Sequence, residues 1–520
     1  MRIFLLSICL SIIFTACALN PSLPCNDKES CKNSGETLYE QRDFIKAAEF
    51  YAKACDMNDA ISCNKVGKLY YHHYHRSTQN IEKNPDKAME FYTKSCDLDN
   101  AEGCLLLGTL YADKKDMTKA EKLFDQACDM GDPEVCTDLY FSYLGGAPIK
   151  QDLKKAIKFA TKACDLGGAT GCGLLGELYF EGKDAKKDTK KAIDLLSKSC
   201  DLGGETACGL IAQAYLKGEG VETNLHKAEN LYIKACKLGN AFACANLAEY
   251  YLNGQYFQPN IRKAVEFYAK SCDLRYVHSC YILGEAYFEG NDWVEEDHFK
   301  AEKLLSKACF IEKNGYFVFD PQGQEDIQKS CNILAVIYAH SETFPQDYAK
   351  AQSILTALCE LENSFACNNL GVMYDEYDKS DVQDFTKAVE LFTKACELEN
   401  SLGCYNLGVQ YYRGRGVKQD FFKAREFYSK ACYADQANAC YNLGMLYLHG
   451  QGVRQNYLRA NDMFLKTCNL GIAQGCNDLG MSYQYGRGVR QDLIEAKKLF
   501  GKACDMGEQM GCDNYKRLNR

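Results

Sequence analysis

Lys162-Ala163-Cys164-Asp165-Leu166-Gly167-Gly168-Ala169-Thr170-Gly171-Cys172 decides the fold of this chain: two cysteines stand eight residues apart with glycine between them. Eight residues of one continuous helix rise about 12 Å, whereas a disulfide needs Cα atoms within roughly 7 Å. The helix that reaches Cys164 must therefore stop, and the chain must turn back before Cys172. Gly167 suits that stop, because glycine enters the left-handed region without a steric penalty. The same spacing separates Cys55 and Cys63, Cys96 and Cys104, Cys128 and Cys136, Cys200 and Cys208, Cys236 and Cys244, and Cys272 and Cys280. It returns between Cys359 and Cys367, Cys396 and Cys404, Cys432 and Cys440, Cys468 and Cys476, and Cys504 and Cys512. Cys309 and Cys331 make a stretched pair, Cys25 and Cys31 a shortened one. Gly131, Gly203, Gly239, Gly471 and Gly507 occupy the place of Gly167. The expected structure has a bridge from the end of one helix to the start of the next at every pair. Each closed loop contributes about 2.5 kcal/mol in the chain-entropy model. Zinc is the rival use of so many cysteines, but it favours CxxC or mixed Cys/His clusters, and no CxxC is present. No metal or cofactor is expected.

Between the cysteines the chain repeats a longer pattern. From Cys440 it runs through Leu443, Gly444, Tyr447, Gly450, Gly452 and Val453 to Asn456 and Ala460. Leu443 and Tyr447 are four apart and share a helix face. Gly444 costs a helix interior about 1 kcal/mol, which points to another backbone passing close by. Asn456 reads as the cap of the following helix, as do Asp43, Asn84, Asp116, Asp152, Asp188, Asn224, Asn260, Asp297, Asp347, Asp384, Asp420 and Asp492. The tyrosine seven residues after the second cysteine recurs from Tyr70 to Tyr483. Needed in nearly every copy, it reads as packing, with its hydroxyl satisfied locally. Lysines before the first cysteine, such as Lys162 and Lys430, complement helix C-termini and read as a solvated face.

These strings, C-x2-L-G-x2-Y-x2-G-x-G-V, then D-x2-K-A, then K-A-C-D-L-G, resemble the Sel-one-like repeat, an αα-hairpin relative of the tetratricopeptide repeat. The added Cys-x7-Cys is similar to the Helicobacter cysteine-rich protein family, exported solenoids with one bridge per repeat. The resemblance implies an all-α, right-handed αα-hairpin solenoid of about thirteen disulfide-stapled hairpins. Met1-Arg2 and the apolar Ile3–Phe14 read as an export signal over 1–18. A cap segment follows at 19–30, then the repeat array at 31–511 and a partial helix at 512–520. Phe14-Thr15-Ala16-Cys17 resembles a lipobox, with lipid on Cys17, and Ala16-Cys17-Ala18 reads equally as an A-x-A cleavage site for soluble secretion. The expected location is the periplasm, the outer membrane or the exterior.

Stacked hairpins present an extended groove, so the expected function is an exported scaffold whose concave groove binds a protein, peptide or peptidoglycan-like cell-wall component. A net charge of −9 argues against nucleic acid, and membrane contact is expected only through a lipid anchor. The family resemblance also implies an alternative, penicillin binding with weak β-lactamase-like hydrolysis. That chemistry needs S-x-x-K with S-D-N and K-T-G. Only Ser62-Cys63-Asn64-Lys65 is present, in an inter-helix turn, so no catalytic residue is assigned.

Departures from the repeat are the candidates for specificity. His72, His73 and His75 lie close together beside Tyr70, Tyr71 and Tyr74, and read as an exposed helix end. The stretch Phe310–Ser330 reads as a long loop carrying Tyr316, Phe317 and Phe319 as binding candidates. Trp293, the sole tryptophan, is the fourth, set among Asp292, Glu295, Glu296 and Asp297.

Overall fold

The computed structural model describes residues 25–71, 81–145, 149–182, 186–309, 321–376 and 384–518. They form twenty-seven helices and, among the described residues, no strand. The chain divides into two compact units, Met1–Pro259 and Asn260–Arg520. The first carries thirteen helices and the second fourteen, packed in each unit as antiparallel neighbours in chain order. The last helix, Gln509–Arg517, begins three residues earlier than the expected partial helix.

Each hairpin is built from local signals. In the hairpin Ala437–His449/Tyr457–Asn469, Gly450 ends the first helix in the left-handed region at φ 68°. The Asn456 side chain accepts the backbone N–H of Arg459 at 3.0 Å and starts the second helix. The Asn456 N–H donates to the Tyr447 carbonyl at 2.9 Å, so the cap and the recurrent tyrosine close the hairpin loop together. The same bond joins Asp116 to Tyr111, Asp188 to Tyr179, Asp420 to Tyr411 and Asp492 to Tyr483. The tyrosine ring lies under the base three residues past the cap: Lys191 sits 4.1 Å from the Tyr179 centroid, and Lys423 4.9 Å from that of Tyr411. A half-buried ring with a cation on one face is a packing element.

The two helices of a hairpin meet through a glycine and an aromatic ring. A side chain at Gly444 would run into Phe464 at 2.7 Å, and one at Gly480 into Phe500 at 2.8 Å. At Gly444 the close neighbour is therefore a ring from the second helix, not a passing backbone. Phe464 and Phe500 are fully buried, as are Phe124, Phe392 and Tyr428 at the same register. Each such ring stabilises its hairpin by about 2–3 kcal/mol. Gly176 and Gly284 receive Leu196 and Leu305 instead. The alanine four residues past each cap, for example Ala424, Ala460 and Ala496, has no exposed surface and sets close helix approach.

Consecutive hairpins are tied covalently. Cys164–Cys172 and Cys432–Cys440 join the last turn of one helix to the first turn of the next, with Cα–Cα distances of 4.5 and 4.7 Å. Cys55–Cys63, Cys96–Cys104, Cys128–Cys136, Cys200–Cys208, Cys236–Cys244 and Cys272–Cys280 do the same in the first part of the chain. Cys359–Cys367, Cys396–Cys404, Cys468–Cys476 and Cys504–Cys512 continue the series. The shortened pair Cys25–Cys31 and the stretched pair Cys309–Cys331 are bridged as well. Across these turns the second cysteine of a pair lies almost without exposed surface: Cys104, Cys136, Cys208, Cys244, Cys280, Cys367 and Cys476 are all buried, as is Cys404. Cys512, in the last helix, keeps part of its surface exposed.

Gly131, Gly167, Gly203, Gly239, Gly471 and Gly507 lie at positive φ with open space around them. In other copies Asn58, Asp99, Arg275, Glu362, Glu399 and Asp435 take that conformation, with φ between 55° and 66°. A side chain there is strained. Glu399→Gly is therefore expected to raise stability by about 0.5–1 kcal/mol, measured as a shift in the urea midpoint.

The stretched rung departs from expectation. The segment before Cys331 is not all loop, because the helix Pro321–His340 begins ten residues ahead of the cysteine. Pro321 stands at the first helical position, where its missing N–H costs nothing. Cys309 and Cys331 still approach to a Cα–Cα distance of 4.8 Å, since the extended helix runs back past the end of His298–Ala308.

Candidate binding surface

Several sequence candidates fall outside the described residues: Cys17 with the whole export segment, the histidines at 72, 73 and 75, and Tyr316, Phe317 and Phe319. Trp293 is half-buried and tilts against Tyr268 at 6.3 Å between centroids. Its loop is held by Asn291, whose side chain accepts the N–H groups of Trp293 and Val294, both at 3.1 Å. Trp293 lines a cleft of about 560 Å³ with Arg262, Tyr287, Glu295, Asp297 and Lys300. The same register further along the chain, around Tyr411, Lys418, Asp420 and Phe422, forms a second cleft.

Ser62 is not placed for nucleophilic chemistry. It is fully buried, and its hydroxyl donates to Asp59 Oδ2 at 2.5 Å, the carboxylate that also accepts the Ser62 N–H. Lys65 turns away to pair with Glu36 at 2.5 Å. Ser62 thus lies in the first turn of the helix Ala60–Tyr71 rather than in the turn before it, Asp59 serves as that helix's cap, and Lys65, the base of the motif, does not face the serine. Among the described residues no His/Cys/Asp/Glu group is arranged to hold a metal, and no helix is long and apolar enough to cross a membrane.

A polar surface is built on the first helices of the last hairpins. The two positions after the second cysteine hold Asn368-Asn369, Tyr405-Asn406, Tyr441-Asn442 and Asn477-Asp478. These side chains bond from one hairpin to another. Asn406 Nδ2 donates to Asn368 Oδ1 at 2.9 Å, Tyr441 OH to Asp478 Oδ2 at 3.0 Å, and Asn514 Nδ2 to Asn477 Oδ1 at 2.9 Å. Asn368 and Asn477 are buried, whereas Asn369, Asn406 and Asn442 keep part of their surface. Tyr405 and Tyr441 lean on Tyr428 and Phe464 at 6.0 and 5.9 Å. The result is a ladder of amides and phenols, one rung per hairpin. The doublets vary in identity, so a search for repeated letters passes over them; their constant polarity at one register is the signal that finds them.

Burial pushes the Asp478 carboxyl above the usual carboxylate range, against the hydrogen bonds from Tyr441 and Asn477, which lower it. An acid whose folded pKa is raised makes stability fall as pH rises from its unfolded value through its folded one. Asp478→Asn keeps an acceptor for Tyr441 and removes that loss. It is expected to raise stability at neutral pH and to flatten the decline that sets in above the ordinary carboxylate range, followed by urea titration at several pH values.

Antiparallel helix pairs in tandem, bridged pair to pair, define the class of αα-hairpin repeat proteins. Within that class the chain belongs to the Sel1 repeat family, whose model matches residues 33–59, 60–100, 101–132, 140–168, 169–204, 206–240, 241–276, 277–309, 364–400, 401–435, 437–472 and 473–508. Each disulfide with the regular spacing, from Cys55–Cys63 to Cys468–Cys476, thus crosses a boundary between repeats or the start or end of one. Among solved structures, a protective antigen of uropathogenic Escherichia coli with an SLR fold is similar at 24% identity and TM-score 0.61, over 83% of this chain and 90% of that one. Cysteine-rich protein B of Helicobacter pylori is 32% identical, covering 26% of this chain and 98% of that one, with a TM-score of 0.22. A Sel1 repeat protein of Oxalobacter formigenes is 20% identical, over 74% and 93% of the two chains, at TM-score 0.42. No curated protein sequence is similar enough to the chain to count as a match. The fold is a repeat scaffold of the kind that serves protein–protein interaction, and fourteen disulfides suit an oxidising compartment rather than the cytosol.

Proposed function

We propose that the protein is an exported scaffold that binds an extended peptide or protein segment along the first-helix face of its C-terminal hairpins. The amide ladder at Asn369, Asn406 and Asn442 is the observation that carries this reading. Neighbouring helices pack about 10 Å apart, and an extended chain rises about 3.3 Å per residue. One rung therefore meets every third residue of a bound strand, and an amide both donates to and accepts from a backbone. The tyrosines between rungs add apolar contact beside a polar tip. Cell-wall stem peptides present the same backbone groups and belong to the ligand class. Disulfides and the apolar start of the chain support a periplasmic, outer-membrane or secreted location, with lipid on Cys17 as one route to the membrane.

The test is capture of peptides from a random-sequence library by the oxidised chain, followed by titration of the selected peptides. Asn369→Ala, Asn406→Ala and Asn442→Ala together are expected to weaken binding at least about tenfold, since each net hydrogen bond contributes about 1 kcal/mol. Deleting residues 310–320 is expected to leave it unchanged. The reverse result would move the site to the insertion that carries Tyr316, Phe317 and Phe319, and a loss on Trp293→Ala alone would move it to the Trp293 cleft.

A further inference from the structure

The loop edge of the last three full hairpins pairs each base with an apolar residue; basic residues also precede earlier caps, at Lys114, Lys150 and Lys186, but there Thr118, Lys154 and Lys190 follow the cap. Residues 412–425, 449–459 and 485–498 carry eleven Lys and Arg against three Asp and Glu, in a protein of net charge −9. Lys418, Arg454 and Arg490 stand two residues before successive caps, and all three are exposed. Phe422, Leu458 and Ile494 stand two residues after the same caps, 66%, 59% and 83% exposed. The cap carboxylates of Asp420 and Asp492 accept the N–H groups of Phe422 and Ile494 at 2.9 Å, which fixes these residues on the outward first turn.

The edge is continuous. A side chain at Gly452 would collide with the backbone of Phe421, and one at Gly488 with that of Tyr457, so each loop lies directly on the start of the preceding hairpin's second helix. Repeat geometry does not impose the pairing of base and apolar tip. At the same register around Trp293 the chain has Glu295 in place of the base, and further on it has Pro345 and Ala349.

We infer that this edge docks on a bilayer surface rich in anionic lipid, a contact made by the fold itself and separate from any lipid on Cys17. Charge complementarity selects an anionic partner, because basic residues near such a surface are attracted additively. The arrangement of the apolar residues selects lipid over an acidic protein. A protein interface concentrates its energy in a central, walled cluster, whereas these tips stand singly, one per hairpin, each beside a base. Separate tips can enter the headgroup boundary while the bases remain among the phosphates.

The experiment is vesicle co-sedimentation of the full oxidised chain, with phosphatidylcholine alone or mixed with phosphatidylglycerol. The apolar segment Ile3–Phe14 is common to every variant, so the readout is the preference for anionic over neutral vesicles. Wild type is expected to show a clear preference that weakens with salt. Lys418→Glu/Arg454→Glu/Arg490→Glu is expected to reduce it by at least about tenfold, and Phe422→Ser/Leu458→Ser/Ile494→Ser to reduce binding to anionic vesicles severalfold. Unchanged helical circular dichroism shows that these surface variants fold. Equal binding to both vesicles, unchanged preference in the charge variant, or capture by poly-glutamate without capture by vesicles would each overturn the inference. The Asn369/Asn406/Asn442 variant keeps its vesicle preference if the two surfaces are separate, so failure here does not bear on the peptide ladder.

Discussion

Gly444→Val is expected to destabilise its hairpin by about 2–3 kcal/mol, among the largest effects of a single added side chain in this chain. Its Cβ would lie 2.7 Å from the Phe464 ring and 3.3 Å from Met463 Cβ, and the ring is itself fully enclosed. The ring cannot swing aside without opening the contact between the two helices. Phe464→Ala in the same chain removes the obstacle and leaves a space the valine partly fills. The double variant should therefore be more stable than the sum of the two single losses, a coupling read from a double-mutant cycle. Additive losses would show that the glycine is not there to admit the ring. Hydrogen exchange is the better measure, because long repeat arrays need not unfold in one step. Protection is expected to fall in the helices Ala437–His449 and Tyr457–Asn469 and their immediate neighbours only.

The second large effect comes from a bridge. Cys432→Ala/Cys440→Ala removes a loop closure that contributes about 2.5 kcal/mol, so local opening across that rung is expected to be roughly sixtyfold more frequent. Both cysteines are almost fully buried, and Cys440 has no exposed surface, so alanine fits without exposing a polar group. Exchange in Phe421–Tyr433 and Ala437–His449 should accelerate by that factor, while helices three hairpins away keep their rates. Faster exchange throughout the chain would mean that the bridges act collectively. Full reduction should then cost far more than any single rung.

Features that repeat and act within a few residues are legible in the sequence. The thirteen caps, the helix stops at Gly131 or Gly167 and the role of the recurrent tyrosine follow from local chemistry, and a dozen copies make the pattern plain. What depends on a partner helix is not. The crowding at Gly444 is visible as a cost, but whether a ring or a backbone causes it depends on Phe464, twenty residues away. The ten-residue helical extension before Cys331 reads as loop in the sequence, because the preceding aromatic run hides a proline-led helix start. The polar ladder escapes because its rungs change from asparagine to tyrosine to aspartate. Its continuity lies in bonds between hairpins, such as that of Asn406 to Asn368, which no single copy displays. Ser62 and Lys65 match a motif in letters, yet their partners are Asp59 and Glu36.

The bridges sit in the turns between hairpins, and no cysteine lies in the loops within them, between the recurrent tyrosine and the cap. A protease that cuts in the turn 165–171 leaves both ends joined through Cys164 and Cys172. The nicked molecule would migrate as one species until a reductant is added. A cut in the loop after Tyr447, before the Asn456 cap, is held by packing alone and would release two chains in denaturant. The two kinds of cut age the molecule differently: the bridged turns can collect damage silently, and the loop edge that carries Lys418, Arg454 and Arg490 is the face on which a single cleavage ends its continuity.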